Sequence, residues 1–380
     1  MHELTEHRAD LATNAPGMAD PRGRHVAAPD AERMNQLVPR HVAGVIAAAG
    51  RPSDDRSAVR RARDAAGTLA LIGESSFRHT RRASVAPAID EIVGSVSSLL
   101  PGRVAAVTVL SGPPRPNRKP VLQLLDRVGR PMAFVKVGTN ELTAPLIDHE
   151  AAVLATLADS LPTTVAVPRV IAHRSEHARS WLALSPVSVP GGTIRRVTDR
   201  IDRTDSVARA IEAVGGIVPR RLGASAFVER LRAAADGDAD VAALADSLVA
   251  RHGDTEVGLG AWHGDFVPWN IRTGRGATAV WDWERFETGV PGGLDRLHLR
   301  LQVAIQRRGV NLTTALDRLR HGLDTTLPDM PPAARAATFD TYIAALAARY
   351  LHDSALSGDQ RTLRWGTTLR DRLTTIRGTR

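Results

Sequence analysis

The chain has 380 residues, 43% of them hydrophobic, enough for one large or two medium domains with proper cores, which excludes a fibrous or wholly disordered protein. Cysteine is absent, which removes disulfide scaffolds, thiolate nucleophiles, cysteine-ligated zinc and iron–sulfur clusters together. The net charge of +9 invites a nucleic-acid reading, but 48 of the 50 basic residues are Arg and only Lys119 and Lys136 are Lys, a compositional habit more than a phosphate-binding face. The basic residues are scattered, and the densest run, RSAVRRAR over 56–63, sits among Asp54, Asp55 and Asp64 as a solvated helix face. Fourteen aromatic residues leave few stacking platforms for single strands, so no nucleic-acid partner is expected. No run approaches the roughly 18 apolar residues that cross a bilayer, so no membrane partner is expected either. The N-terminus lacks the apolar core of a signal peptide, which points to a cytoplasmic protein. A start at Met34 would instead place the apolar stretch 42–49 behind Arg40 like a weak export signal.

Residues 1–33 carry Pro16, Pro21 and Pro29 among charges and small residues and read as a disordered tail. From 34 to 100 the pattern is a helical extension, with Ser53 and its aspartates as a start signal and an apolar face through Ile89, Ile92, Val93 and Val96. After Pro101 come short β-type runs, AAVTVL, PVLQLLD and PMAFVKVG, with DRVGR as the turn joining the last two. A helix is expected from Ala144 to Ala158, then strands around VPRVIAH and SWLALSPV, ending at the breaker Pro190-Gly191-Gly192. Beyond it lie helical stretches near 205–215, 226–235 and 239–251, a β-rich island from 261 to 286, and helices to the end. The fold class is therefore α+β.

The island, AWHGDFVPWNIRTGRGATAVWDWE, sets Asp265, Asn270 and Asp282 in apolar surroundings, where buried polar groups need partners. Ile271-Arg272 and Ala279-Val280-Trp281 flank the turn TGRG and can pair as an antiparallel hairpin. Asn270 and Asp282 would then face each other across its mouth at about 5 Å between α-carbons. An amide oxygen and a carboxylate make a hard oxygen site suited to Mg²⁺. Asp265 can sit beside that site, orient an attacking hydroxyl and accept its proton. Taken singly, each residue could equally cap a loop in a core. The four tryptophans of the island, Trp262, Trp269, Trp281 and Trp283, read as packing. The thirteen histidines show no metal-binding spacing, and His263 reads as a brace of its loop.

The order HGDFVPWN, followed twelve residues after Asn270 by Asp282 in VWDWE, resembles the catalytic and metal-binding loops of the aminoglycoside phosphotransferase and choline kinase-like family. That resemblance implies a bilobal protein-kinase-like fold, with a small antiparallel-sheet nucleotide-binding lobe over 101–187 and a mostly helical catalytic and acceptor-binding lobe over 188–380. It also demands a strand Lys for the nucleotide phosphates and a helix Glu to hold it. Lys136 in AFVKVG meets the first demand, and Glu150, fourteen residues on and in register with Ile147, Leu154 and Leu157, meets the second. By the same likeness Ser185 and Val187 belong to the hinge that meets the adenine. Asp295 would brace the second lobe, or it is a plain helix N-terminal acid.

The chain departs from a kinase pattern at SGPPRPNRKP, which has one glycine where a flap covers the phosphates. Arg115, Arg118 and Lys119 could grip phosphate there, or they are ordinary loop charges, in which case Lys119 should tolerate Arg. The implied activity is ATP- and Mg²⁺-dependent phosphate transfer to a hydroxyl of a small metabolite or antibiotic. The alternative is a catalytically weak nucleotide-binding regulatory module. Residues 301–380 hold 12 Arg against 7 Asp and no Glu, so the acceptor is expected to be neutral or anionic unless Asp317, Asp324, Asp340 or Asp353 builds a local acidic pocket. Neither the acceptor's identity nor the oligomeric state is written in the sequence.

Overall fold

A computed structural model describes residues 86–110, 117–176, 179–187, 189, 201–235, 238–307 and 309–375. The expected tail over 1–33, most of the helical extension over 34–100 and the breaker at 190–192 lie outside the described residues. The chain divides into two compact units, one of Met1–Pro114 with Pro120–Met132 and one of Arg115–Lys119 with Ala133–Arg380.

In the first unit helix α1 (Ala86–Ser97) buries Ile92 and Val96 from the face that the spacing predicts. Strands β1 (Ala106–Leu110) and β2 (Val121–Leu125) pair antiparallel from Ala106↔Leu125 to Leu110↔Val121. Alternation decides which face of β2 is inside, since Leu122 and Leu124 are fully buried while the residues between them are not. The DRVGR turn forms because Gly129 takes φ 76° and Asp126 Oδ1 accepts the N–H groups of Val128 and Arg130.

The second unit holds β3 (Pro131–Gly138) from Ala133 onward, helix α2 (Thr143–Leu157), the two-residue β4 (Val165–Ala166), β5 (Val170–Glu176) and β6 (Arg179–Leu184). Strand β6 lies between β3 and β5, antiparallel to both. Helix α2 packs Ile147, Leu154 and Leu157 with Leu182 and Leu184 of β6, each side chain contributing about 1.5–3 kcal/mol by leaving water. Asp148 secures the helix by accepting hydrogen bonds from Ser175 and Ser180 and pairing with His173 at 2.7 Å. The helix starts one residue earlier than the sequence predicts because Asn140 accepts from the N–H of Thr143.

The remainder runs through α3 (Ile201–Glu212), β7 (Val218–Arg221), α4 (Ala226–Ala233) and α5 (Ala239–His252). Strands β8 (Glu256–Trp262), β9 (Ile271–Thr273), β10 (Thr278–Val280) and β11 (Glu287–Pro291) follow. The chain then forms α6 (Leu294–Gln302), α7 (Leu312–His321), the one-turn α8 (Leu323–Thr326), α9 (Pro332–Ser357) and α10 (Gln360–Thr375). One core gathers α4, α5, α6, α9 and α10, with Trp262, Leu297, Phe339, Tyr342 and Leu369 all buried. The architecture is α+β, as the sequence leads one to expect.

Beyond the expected β9–β10 hairpin, two small sheets include pairings that were not legible in advance. Strand β8 pairs antiparallel with β7 and β11, and β10 pairs parallel with β4 and antiparallel with β9. Strand β7, VPRR, is wholly exposed and forms through backbone pairing alone. Strand β11 carries Gly289 at φ 68° and a register shift beside it, which hides a period-2 pattern. Among the described residues no helix is long and apolar enough to cross a membrane.

Candidate active site

Strand β8 delivers His263, Gly264 and Asp265 at its end, and the turn they make depends on glycine. Gly264 has φ 80°, and a β-carbon there would lie 2.2 Å from the carbonyl oxygen of Arg285. Asp295, in the first turn of α6, accepts the backbone N–H of His263 at 2.7 Å and of Gly264 at 3.2 Å. It is therefore both a helix N-terminal acid and the brace of this loop. Burial pushes its carboxyl up to about 7 in spite of those two hydrogen bonds.

His263 is fully buried, with its ring 4.5 Å from that of Trp283. Its Nδ1 accepts the N–H of Asp265, so Nε2 carries the hydrogen and donates to the carbonyl of Trp281. Burial holds the ring down to about 4 and hence neutral.

Asp265 is held on both oxygens. Asn270 Nδ2 donates to Oδ2 at 3.0 Å and also to the Asp265 carbonyl, while His298 Nε2 lies 3.4 Å from Oδ1. Burial raises the Asp265 carboxyl, but the hydrogen bond and charge of His298 outweigh it, and the group stays below its ordinary value. Tyr342 Oη stands 2.9 Å from His298 Nδ1 and fixes that ring in turn. Neither His298 nor Tyr342 was singled out from the sequence. Both sit on apolar helix faces, where only the three-dimensional contact distinguishes them from core residues.

The second group is built around Lys136, which is placed on β3 opposite Leu182. Its Nζ lies 2.7 and 2.6 Å from the two oxygens of Glu150 and 2.5 Å from Asp282 Oδ1. Glu150 is fully buried, projects from the apolar face of α2 and also accepts the N–H of Trp283. Burial raises Glu150 to about 7 against the pull of Lys136. Burial acts against the Lys136 ammonium too, but Asp282 and Glu150 outweigh it and leave its pKa raised. Asp282 is held well below the usual carboxylate range by Lys136 and then Lys119, which overcome its own burial.

The hairpin forms as expected, with Ile271 opposite Val280 and Thr273 opposite Thr278. Its register corrects one expectation. The N–H of Trp281 donates to the carbonyl of Asn270, so Asn270 faces Trp281 and not Asp282. Asp282 then leaves the strand at φ 73°, the one non-glycine residue among the described residues with positive φ, and its carboxylate goes to Lys136. Such a conformation is costly away from glycine and clusters at functional sites.

The carboxylate oxygens of Glu150, Asp282 and Glu284 lie within 4.8 Å of one another. Glu150 and Glu284 are both covered by ammonium groups, which leaves Asp282, with its side chain 30% exposed, as the open carboxylate. The amide hydrogens of Asn270 are spent on Asp265, which orients its carbonyl oxygen as a free acceptor among the described residues. These two oxygen donors suit a hard cation.

Lys119 departs from its reading as an ordinary loop charge. It is nearly buried, 6% exposed, with Nζ 2.5 Å from Oε2 of Glu284, itself 4% exposed, and Asn117 Nδ2 donates to the other oxygen of that carboxylate. Both lysines of the chain therefore converge on one carboxylate cluster. At the hinge, the N–H of Ser185 donates to the carbonyl of Arg169, and Ser185 Oγ accepts from Arg169 N. The backbone of Val187 makes no hydrogen bond among the described residues.

Residues 121–292 match the model of APH, the phosphotransferase enzyme family, over the same stretch that carries the motifs. No curated protein matches the chain. Among solved structures the chain is similar to a thermostable mutant of aminoglycoside phosphotransferase APH(4)-Ia in its apo form, with TM-score 0.50 and 18% identity, covering 73% of this chain and 97% of that one. It is similar to a thermostable mutant of the same enzyme in ternary complex with ADP and hygromycin B, with TM-score 0.50 and 15% identity over 77% of this chain and 99% of that one. The likeness is one of fold, and it bears out the expected kinase-like α+β class.

Two outcomes follow from the packing. Lys119→Met leaves Glu284 as a buried carboxylate without its cation and should lower unfolding stability by about 3–5 kcal/mol. Adding Glu284→Gln should restore most of the loss, and denaturant titration of the single and double variants checks this. For His263 the folded ring takes its proton only near 4 and the unfolded one already near the ordinary 6.5. Between those values the unfolded chain binds more protons, so this residue's contribution to stability is lost as pH falls. His263→Asn removes that titration, so the melting-temperature gap between wild type and variant should be narrower at about pH 5 than at about pH 7.5.

Proposed function

Because residues 121–292 match the model of the phosphotransferase enzyme family, we propose that this chain transfers the γ-phosphoryl group of ATP, with Mg²⁺, to a hydroxyl of a small metabolite or antibiotic. The observation that carries the proposal is the Lys136 ammonium clamped between Glu150 and Asp282. A compact charge fixed on a strand neutralises nucleotide phosphates without having to reorganise. Glu150 positions it, and the raised Lys136 pKa keeps it charged wherever the protein is folded.

Asp282 and Asn270 are the residues that would hold the metal, which when bound supplies neutralising charge to the transferred phosphoryl group. Asp265 would orient the acceptor hydroxyl and receive its proton. Its lowered pKa makes it a weak base that is ionised at neutral pH. That suits phosphoryl transfer through a loose transition state, where orientation matters more than early proton removal. The Ser185 N–H is already bonded to Arg169, so contact with the adenine falls to the Ser185 carbonyl and the backbone of Val187. In this reading 101–187 forms the nucleotide side and 188–380 the catalytic and acceptor side. The regulatory-module alternative has less support, because a carboxylate braced on both oxygens and still one-third exposed, at 33%, is of no use to a protein that only binds nucleotide.

Asp265→Asn should lower turnover by roughly 10² to 10⁴ while calorimetry still records nucleotide binding. Asp282→Ala should abolish the Mg²⁺-dependent part of nucleotide affinity with the fold intact. Undiminished turnover in the first variant, or equal MgATP affinity in the second, contradicts the assigned roles.

A further inference from the structure

The helices that follow Asp265 in sequence carry carboxylates that are mostly paired within the protein. Asp317 pairs with Arg372 at 2.5 Å, Asp353 with Arg285 at 2.7 Å, and Asp340 with both Arg251 and His252 at 3.0 Å. Asp324 accepts the N–H of Thr325. Three of the four carboxylates that could build an acidic pocket for a polycationic acceptor are therefore already neutralised by the protein's own cations.

Arg349, on α9, is different. Its Nη1 donates to the carbonyl of Gly264, the residue before Asp265, at 2.7 Å, and its guanidinium lies over the ring of Trp262 at 5.0 Å. It meets no carboxylate within ion-pair distance among the described residues, whereas the partly or fully buried guanidiniums of Arg251, Arg285, Arg296, Arg300 and Arg372 each do. Its remaining N–H donors have no protein partner there. They are not sealed from solvent either, unlike Nε of Arg296 and Arg372. Asp353 sits one turn further along α9, but Arg285 occupies it. The Gly264 carbonyl holds the fork at Nη1 and the ring of Trp262 lies against it, so the remaining donors are ordered and still reach solvent. That arrangement recognises an oxyanion and repels an ammonium.

We propose that Arg349 is the acceptor-binding residue that sets specificity: the acceptor carries a carboxylate or phosphate group that docks on its free edge while a hydroxyl of the same molecule meets Asp265. This rests on the phosphotransferase reading and deepens it by naming the acceptor class. A polycationic acceptor is then disfavoured, because Asp317, Asp340 and Asp353 are already paired with the protein's own cations.

The test uses the full chain with isotope-labelled arginine. The Arg349 Nε–Hε resonance, identified as the one missing from Arg349→Lys, is followed by NMR in the presence of MgADP during titration with glycerate, glycerol phosphate or glycerol. Either anion should shift it and glycerol should not, and the tighter of the two anions names carboxylate or phosphate as the docking group. No shift with both anions, or an equal shift with glycerol, overturns the proposal. In steady-state assays, Arg349→Met should raise KM for an anionic acceptor by about 10- to 100-fold with a smaller change in kcat, and Arg349→Lys should recover part of it. An unchanged KM overturns the proposal as well. Absence of MgADP binding by calorimetry would instead contradict the phosphotransferase reading, while the Arg349 resonance would still report on the anion.

Discussion

The structure turns on a buried cluster of three carboxylates and two ammonium groups. Glu150 is fully buried and Glu284 nearly so, and each would be prohibitively costly to ionise without a cation at contact distance. Lys136 and Lys119 supply those cations, at 2.6 Å and 2.5 Å. This requirement fixes the relative positions of β3, α2, the segment around residue 117 and the loop after β10, because none can shift without exposing an unpaired charge in the interior. It also explains why the only two lysines of an arginine-rich chain are found here. A guanidinium is planar and larger and could not sit as a point charge between two carboxylates. Asp282 is the member of the cluster that keeps access to solvent, and it does so through a backbone conformation that its type rarely adopts.

The Asp265 loop is held in a different way, by hydrogen bonds that end mostly on its backbone. Asp295 takes two consecutive N–H groups, His263 fills the space beneath the loop, His298 and Asn270 take the two carboxylate oxygens, and Arg349 takes the Gly264 carbonyl. His298, which touches the reactive carboxylate, is itself fixed by Tyr342. Such preorganisation lets a weak base act by position.

Much of this was legible in the sequence, and the rest was not for identifiable reasons. Lys136 and Glu150 stood out because lysine is scarce and because a carboxylate fell on the apolar register of a helix. The hairpin over 271–280 could be read from its turn and flanking β-formers. Its register at Asn270 was read one residue off, because the left-handed turn at Asp282 breaks the period-2 pattern that carries such readings. Lys119 looked like a loop charge because its partner lies far along the chain, as does the partner of its neighbour Asn117, 167 residues away. His298 and Arg349 reach the Asp265 loop across 33 and 85 residues, and no local pattern marks either. Strand β4, two residues long, exists only because β10 pairs with it.

The most direct measurement of the central claim is phosphorus NMR of the purified protein with MgATP and a panel of hydroxylated acids, phosphorylated alcohols, neutral polyols and aminoglycosides. The account predicts loss of the γ-phosphate signal and growth of a phosphomonoester signal with an acid or phosphorylated alcohol. Consumption of ATP to inorganic phosphate alone, with no new phosphomonoester from any member of the panel, would contradict it.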